Sequence, residues 1–195
     1  MIFVTLEGID NAGKTTIADK LHKELSSMGI NSFITRELIE TDVGKRVLES
    51  FRKSEYLSSN QKTLYFALDR QIRYEEIIKQ NYDVVIWDRY VYSSFVYREM
   101  EKEIGEDINI EWVKRVNSIF KKSDLNIYVD VDINEAMDRA LKNKRILPYT
   151  KEQLEKCKEI YLRYVSNGEL EFYQGYNWLK TKILEKIDEY RKTNR

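Results

Sequence analysis

The segment GIDNAGKT, Gly8 to Thr15, constrains this chain more than any other, because it fits the phosphate-loop pattern G-x-x-x-x-G-K-[ST]. An apolar run, Ile2 to Leu6, precedes it. A run with helical periodicity follows, with Ile17, Leu21 and Leu25 four apart on one face. Glycines at such a turn let the backbone curl so that successive amide N–H groups converge on phosphate oxygens. The helix that follows adds the positive end of its dipole. Gly8, Ile9, Asp10, Asn11, Ala12, Gly13, Lys14, Thr15 and Thr16 are therefore the candidate nucleotide-binding residues. Lys14 is expected to reach the β- and γ-phosphates, and Thr15 to place its hydroxyl on Mg²⁺.

Elsewhere short β-rich runs alternate with longer helical patterns, the order expected of a parallel α/β sheet. The strands are expected at Ile2 to Leu6, Ser32 to Thr35, Val84 to Trp87 and Leu125 to Val131, with a short fifth near Tyr176 to Leu179. Helices are expected at Gly13 to Met28, Val43 to Arg52, Gln61 to Lys79, Ile110 to Phe120, Glu135 to Leu141, Lys151 to Tyr164 and Thr181 to Tyr190. The expected fold is therefore α/β, a three-layer P-loop NTPase fold with a mostly parallel five-stranded sheet flanked by helices. No repeat or Pro/Gly linker divides the 195 residues, so one domain is expected across 1–195. The one proline, Pro148, lies in the polar interval KNKRILPYT, which reads as a short lid at about 142–149.

Lysine plus arginine equals aspartate plus glutamate, 33 against 33, so no basic surplus exists for general nucleic-acid binding. No stretch has the apolar length of a membrane span, and the first ten residues lack the basic head of a signal peptide. The single Cys157 excludes an internal disulfide and suits a reducing cytoplasm. Neither it nor the lone His22, in a helical run, reads as catalytic.

VVIWDRY, Val84 to Tyr90, is an apolar strand that delivers Asp88 and Arg89 to the sheet edge where α/β proteins bind ligands. Asp88 is placed to order a metal ion and Arg89 to meet a phosphate; the bland alternative is a helix-capping acid and a surface arginine. A guanine-reading GTPase needs N/T-K-x-D, and the nearest text, Asn143-Lys144-Arg145, lacks the aspartate. A small-molecule kinase instead needs an acceptor pocket, a central acid and a basic lid. For the pocket, TLYFALDRQIRY offers Phe66 and Arg70 four apart, away from a stripe of Leu64, Leu68 and Ile72 expected to face the core. Such a ring and guanidinium suit a base, or equally a helix–helix contact with a solvated arginine.

These segments together resemble the thymidylate kinase family. The resemblance is carried by LEGIDNAGKTT, ITRE (Ile34 to Glu37), LYFALDR (Leu64 to Arg70), DRYVYSS (Asp88 to Ser94) and VDVDINEAMDRA (Val129 to Ala140). It implies transfer of the ATP γ-phosphoryl group to dTMP, a Mg²⁺ requirement and a homodimer. It also implies that Asp10 contacts the sugar 3′-hydroxyl, Phe66 stacks on thymine, and Arg70 reads the base edge. Arg89 and Arg36 would lie near the acceptor phosphate, Ser93 near the base, and Tyr97 along the sugar.

Three positions depart from that family's pattern. Leu38-Ile39-Glu40-Thr41 replaces the Pro-Gly-Gly-Thr common after TRE, Arg98 stands where a glutamine is common, and Asn11 where one subgroup carries a basic residue. With Asn11 neutral, a further cation for the transferring phosphoryl must come from elsewhere. Lys142, Lys144 and Arg145 in the lid are candidates, Arg145 first for its planar fork, with Arg139 on the preceding helix as the rival. Two other readings stay open: a related kinase for dUMP, another nucleotide or a deoxynucleoside, and a non-catalytic nucleotide-binding regulator.

Overall fold

A computed structural model describes residues 1–38, 41–53, 55–144 and 148–193. Five parallel strands form one sheet in the order β2-β3-β1-β4-β5: β1 (Ile2–Glu7), β2 (Ser32–Arg36), β3 (Val84–Asp88), β4 (Leu125–Tyr128) and β5 (Glu171–Phe172). Eight helices complete the described chain. They are α1 (Lys14–Ser27), α2 (Asp42–Arg52), α3 (Ser59–Ile77), α4 (Val91–Glu103), α5 (Ile110–Asn117), α6 (Ile133–Lys142), α7 (Lys151–Ser166) and α8 (Tyr176–Thr193). β1 and β3 are buried at every position, so they read as continuous apolar runs, as strands covered on both faces do. One face packs on α1 and α8 through Leu21, Leu25, Leu179 and Ile183. The opposite face is lined by Phe3, Trp87 and Tyr90.

Two expectations need correction. The fifth strand is Glu171–Phe172, and Tyr176 begins α8; residues 176–179 start a helix whose Leu179 reaches the core. The stripe on α3 points the other way: Leu64 and Leu68 are 54% and 50% exposed, while Thr63, Asp69, Arg70 and Arg73 are buried. The buried face of α3 is polar because its charges are paired internally, Arg73 with Asp69 and Arg70 with Glu37. Apolar periodicity therefore marked the wrong side.

α4 is not among the expected helices, although Tyr92, Val96 and Met100 stand four apart in the sequence and pack in the core. Ser93, Ser94, Val96, Tyr97, Arg98, Met100 and Glu101 are all buried, so polar and apolar positions alike face inward. It packs against α5 on one side and α7 on the other, walling one side of the cleft at the sheet's C-terminal edge.

Candidate active site

The phosphate loop joins the buried end of β1 to α1. Gly8 has φ of 145°, and a Cβ there would lie 2.4 Å from the Val129 carbonyl oxygen, so only glycine fits. Gly13, with φ of 95°, caps α1 without a side-chain hydrogen bond. No acidic residue sits in the first turn, which leaves the helix N-terminus open to an anion. Lys14 folds back on its own loop, donating from Nζ to the carbonyl oxygens of Gly8 (3.0 Å) and Ile9 (2.6 Å). Burial first, and then the nearby Arg89, lower its pKa to about 8. Thr15 Oγ1 donates to Asp88 Oδ2 at 2.5 Å, joining the start of α1 to the end of β3. Thr16 is exposed. Arg139 Nη1 reaches down from α6 to the Asn11 carbonyl oxygen at 2.9 Å.

Directly after Asp88, Arg89 takes a left-handed backbone with φ of 72°. For a non-glycine residue that conformation costs roughly 1–3 kcal/mol and persists only where neighbours hold it. Here the Arg89 amide donates to Leu6 O at 3.0 Å, and the next amide, of Tyr90, donates to Glu7 Oε1 at 2.9 Å. Glu7 also accepts from Ser93 Oγ at 2.6 Å, and burial pushes its carboxyl up to about 7. The Arg89 guanidinium is thereby aimed at Asp10 Oδ1 (2.7 Å), Ser93 Oγ (3.1 Å) and Tyr97 Oη (3.3 Å). Burial alone would raise the Asp10 pKa, but Arg89 and Lys14 outweigh it and hold the carboxyl below its ordinary value.

Beside this cluster opens a cavity of about 650 Å³, the size of a small-molecule site. Asp10, Phe66, Arg89, Ser93 and Tyr97 line it, so five expected acceptor residues meet in one space. Arg36 stands elsewhere, pairing with Asp19 at 2.5 Å, its Nε 3.9 Å from Asp88 Oδ2. Arg70 is fully buried behind the wall, donating to Glu37, Asn117, Ser94 and the Tyr90 carbonyl oxygen. The groups that carry its influence to the cavity surface are Glu37 and Ser94. Sequence reasoning had given neither a role. Glu37 lay unused in the ITRE motif, and Ser94 lay beside Ser93 with nothing to distinguish them. Burial outweighs the Arg70 charge and raises the Glu37 carboxyl pKa. Tyr149, Lys144 and Pro148 close the lid side of the cavity. Arg145, first choice for the lid cation, lies outside the described residues.

A phosphate loop on the sheet edge, facing an open cavity with an arginine–aspartate pair between them, is an arrangement that suits a two-substrate phosphotransferase. The thymidylate kinase family model matches residues 6–193. The chain belongs to the thymidylate kinase family. A probable thymidylate kinase of Sulfurisphaera tokodaii is 30% identical over 187 residues, covering 96% of this chain and 90% of the relative. Another, from Methanosphaera stadtmanae, is 36% identical over 170 residues, covering 84% of each. Among solved structures, thymidylate kinase from Candida albicans superposes with a TM-score of 0.70 at 20% identity, covering 97% of this chain and 92% of that one. The Ehrlichia chaffeensis enzyme gives 0.69 at 23%, covering 96% and 98%. At those identities the structures establish the fold, and the family match carries the activity. Phosphorylation of dTMP is the function of the thymidylate kinase family, ATP is its phosphate donor, and this chain is a nucleoside monophosphate kinase.

Proposed function

We propose that the chain works as one kinase domain, with the segment at about 142–149 as its lid, and that the donor and acceptor sites meet at Lys14, Asp10 and Arg89. The observation that carries this reading is the Arg89–Asp10 pair, which lies between the phosphate loop and the cavity and belongs to both. Asp10 would accept a hydrogen bond from the sugar hydroxyl, which its lowered pKa favours. Arg89, freed toward the cavity, would hold the acceptor phosphate. Phe66 would stack on the base. Ser94 and Glu37 would meet the base edge, with Arg70 orienting both from behind. ATP phosphates would draw Lys14 Nζ away from the Gly8 and Ile9 carbonyl oxygens.

Thr15 and Asp88 offer a hydroxyl and a carboxylate oxygen within 2.5 Å of each other, a hard-oxygen set suited to Mg²⁺. Among the described residues no group of three or more His, Cys, Asp or Glu side chains is gathered for a metal. That is compatible with an ion that takes its remaining oxygens from phosphate and water. Bound there, Mg²⁺ would neutralise charge on the phosphates. A homodimer is supported by α3, where Leu64 and Leu68 stand half exposed one turn apart, an apolar face suited to a second copy. Among the described residues no helix is long and apolar enough to cross a membrane. The single buried thiol of Cys157 is compatible with the cytoplasm.

Replacing Lys14 by Met tests the donor assignment. Loss of the cation from a preorganised phosphate site is expected to lower kcat by about a hundredfold or more while the melting temperature holds. Near-normal turnover in a folded Lys14→Met protein would refute it.

A further inference from the structure

Arg98, the departure from the family pattern on α4, is not a free charge at the cavity. It pairs with Glu101 one turn along, Nε to Oε2 at 2.8 Å and Nη2 to Oε1 at 2.9 Å, with both side chains about 3% exposed. Glu101 also accepts from Ser59 Oγ at 2.5 Å and Lys62 Nζ at 2.6 Å, which ties α4 to the first turn of α3. The same pair takes hold of Tyr149, the residue before the Thr150 cap of α7. The Tyr149 hydroxyl accepts from Arg98 Nη2 and donates to Glu101 Oε1, each at 3.4 Å. Burial raises the pKa of that hydroxyl, so it keeps the proton it donates.

The Tyr149 ring lies 4.9 Å from the Tyr97 ring, centroid to centroid. The Tyr97 hydroxyl in turn donates to Asp10 Oδ2 at 3.2 Å and accepts from Arg89 Nη2 at 3.3 Å. An unbroken series of contacts thus runs from Glu101 through Arg98, Tyr149 and Tyr97 to the residues at the junction of the two sites. A buried ion pair contributes little net stability once desolvation is counted, so stability alone is a poor reason for it.

We propose that the Arg98–Glu101 pair is a positioning device that fastens the C-terminal foot of the lid through Tyr149. It presses that ring on Tyr97, so that one wall of the acceptor cavity is formed before dTMP arrives. The proposal rests on the cavity being the acceptor site. Preorganising a wall lowers the ordering cost of binding, so its loss falls on the acceptor KM and spares the donor.

The test is steady-state kinetics with ATP and dTMP varied separately, on Tyr149→Phe, Arg98→Met, Arg98→Lys, Tyr149→Phe/Arg98→Met and, as a control, Phe66→Ala. Arg98→Met is expected to raise the dTMP KM roughly tenfold, within the range of coupling inside one network, with ATP KM unchanged and kcat within about twofold. Tyr149→Phe, which removes one hydroxyl and keeps the ring, shifts dTMP KM the same way, and carries the test should Arg98→Met fail to fold. Arg98→Lys recovers part of the loss. The double variant is no worse than Arg98→Met alone. The proposal is overturned if Phe66→Ala raises dTMP KM but Tyr149→Phe and Arg98→Met do not, whatever they do to the melting temperature. Additive losses in the double variant would also overturn it, by removing Tyr149 from the route. If Phe66→Ala too leaves dTMP KM unchanged, the acceptor reading of the cavity falls, and this proposal with it.

Discussion

The Lys14 ammonium lies 2.6 Å from the carbonyl oxygen of Ile9, inside the loop whose ligand it is expected to bind. Buried there, with Arg89 adding like charge, it has a pKa of about 8 instead of its ordinary 10.5. The unfolded chain therefore holds this proton more tightly than the folded one. The resulting penalty on folding is present in full below about pH 8 and is relieved as pH rises from 8 towards 10.5.

Phosphate binding reverses that shift, because a polyanion beside Lys14 favours the charged form. ATP binding near pH 8.5 is expected to be accompanied by proton uptake, and Lys14→Met to abolish the Lys14 share of it. Calorimetry in buffers of different ionisation enthalpy measures this directly. Uptake that is the same in wild type and Lys14→Met would show that Lys14 does not meet the phosphates.

The central strands and the phosphate loop were legible because their constraints are local. A glycine forced by the Val129 carbonyl, a lysine and a buried apolar run each leave a fixed sequence mark. α3 misled because its inward face is made of Thr63, Asp69, Arg70 and Arg73: Arg73 pairs with Asp69 within the helix, while Arg70 and Arg73 also take Glu37, Asn117 and Thr35, which lie far off in sequence. α4 was missed for a different reason, since Arg98 and Glu101, only three residues apart, hide each other and so place charge among its buried apolar positions. Ser94, Glu37 and Tyr149 belong to the cavity through tertiary placement alone, which no spacing records.

The further cation is a choice between α6 and the lid. Arg139 already touches the phosphate loop through Asn11 O and is braced by Glu135 at 2.6 Å. Such a braced arginine suits binding of the donor, while the lid's Arg145 is expected to serve the phosphoryl in flight. Arg145→Met should lower kcat far more than it weakens ATP binding, and Arg139→Met should raise ATP KM with a smaller change in kcat. Wild-type turnover in Arg145→Met beside an inactive Arg139→Met would move the cation to α6.

The exposed apolar face of α3 gives the third expectation. Leu68→Glu, half exposed in one chain but buried and unpaired in a dimer, should yield a monomer by sedimentation velocity at concentrations where wild type is a dimer. An unchanged sedimentation coefficient in both proteins would remove α3 as the contact.

The most direct measurement of the central claim is phosphoryl transfer from ATP, with Mg²⁺, to a panel of dTMP, dUMP, other nucleoside monophosphates and deoxynucleosides. The account predicts stoichiometric formation of dTDP and ADP, with kcat/KM highest for dTMP and dUMP next. A slow ATP hydrolysis that no nucleoside monophosphate accelerates, in a folded protein with Lys14, Thr15 and Asp88 intact, would contradict it.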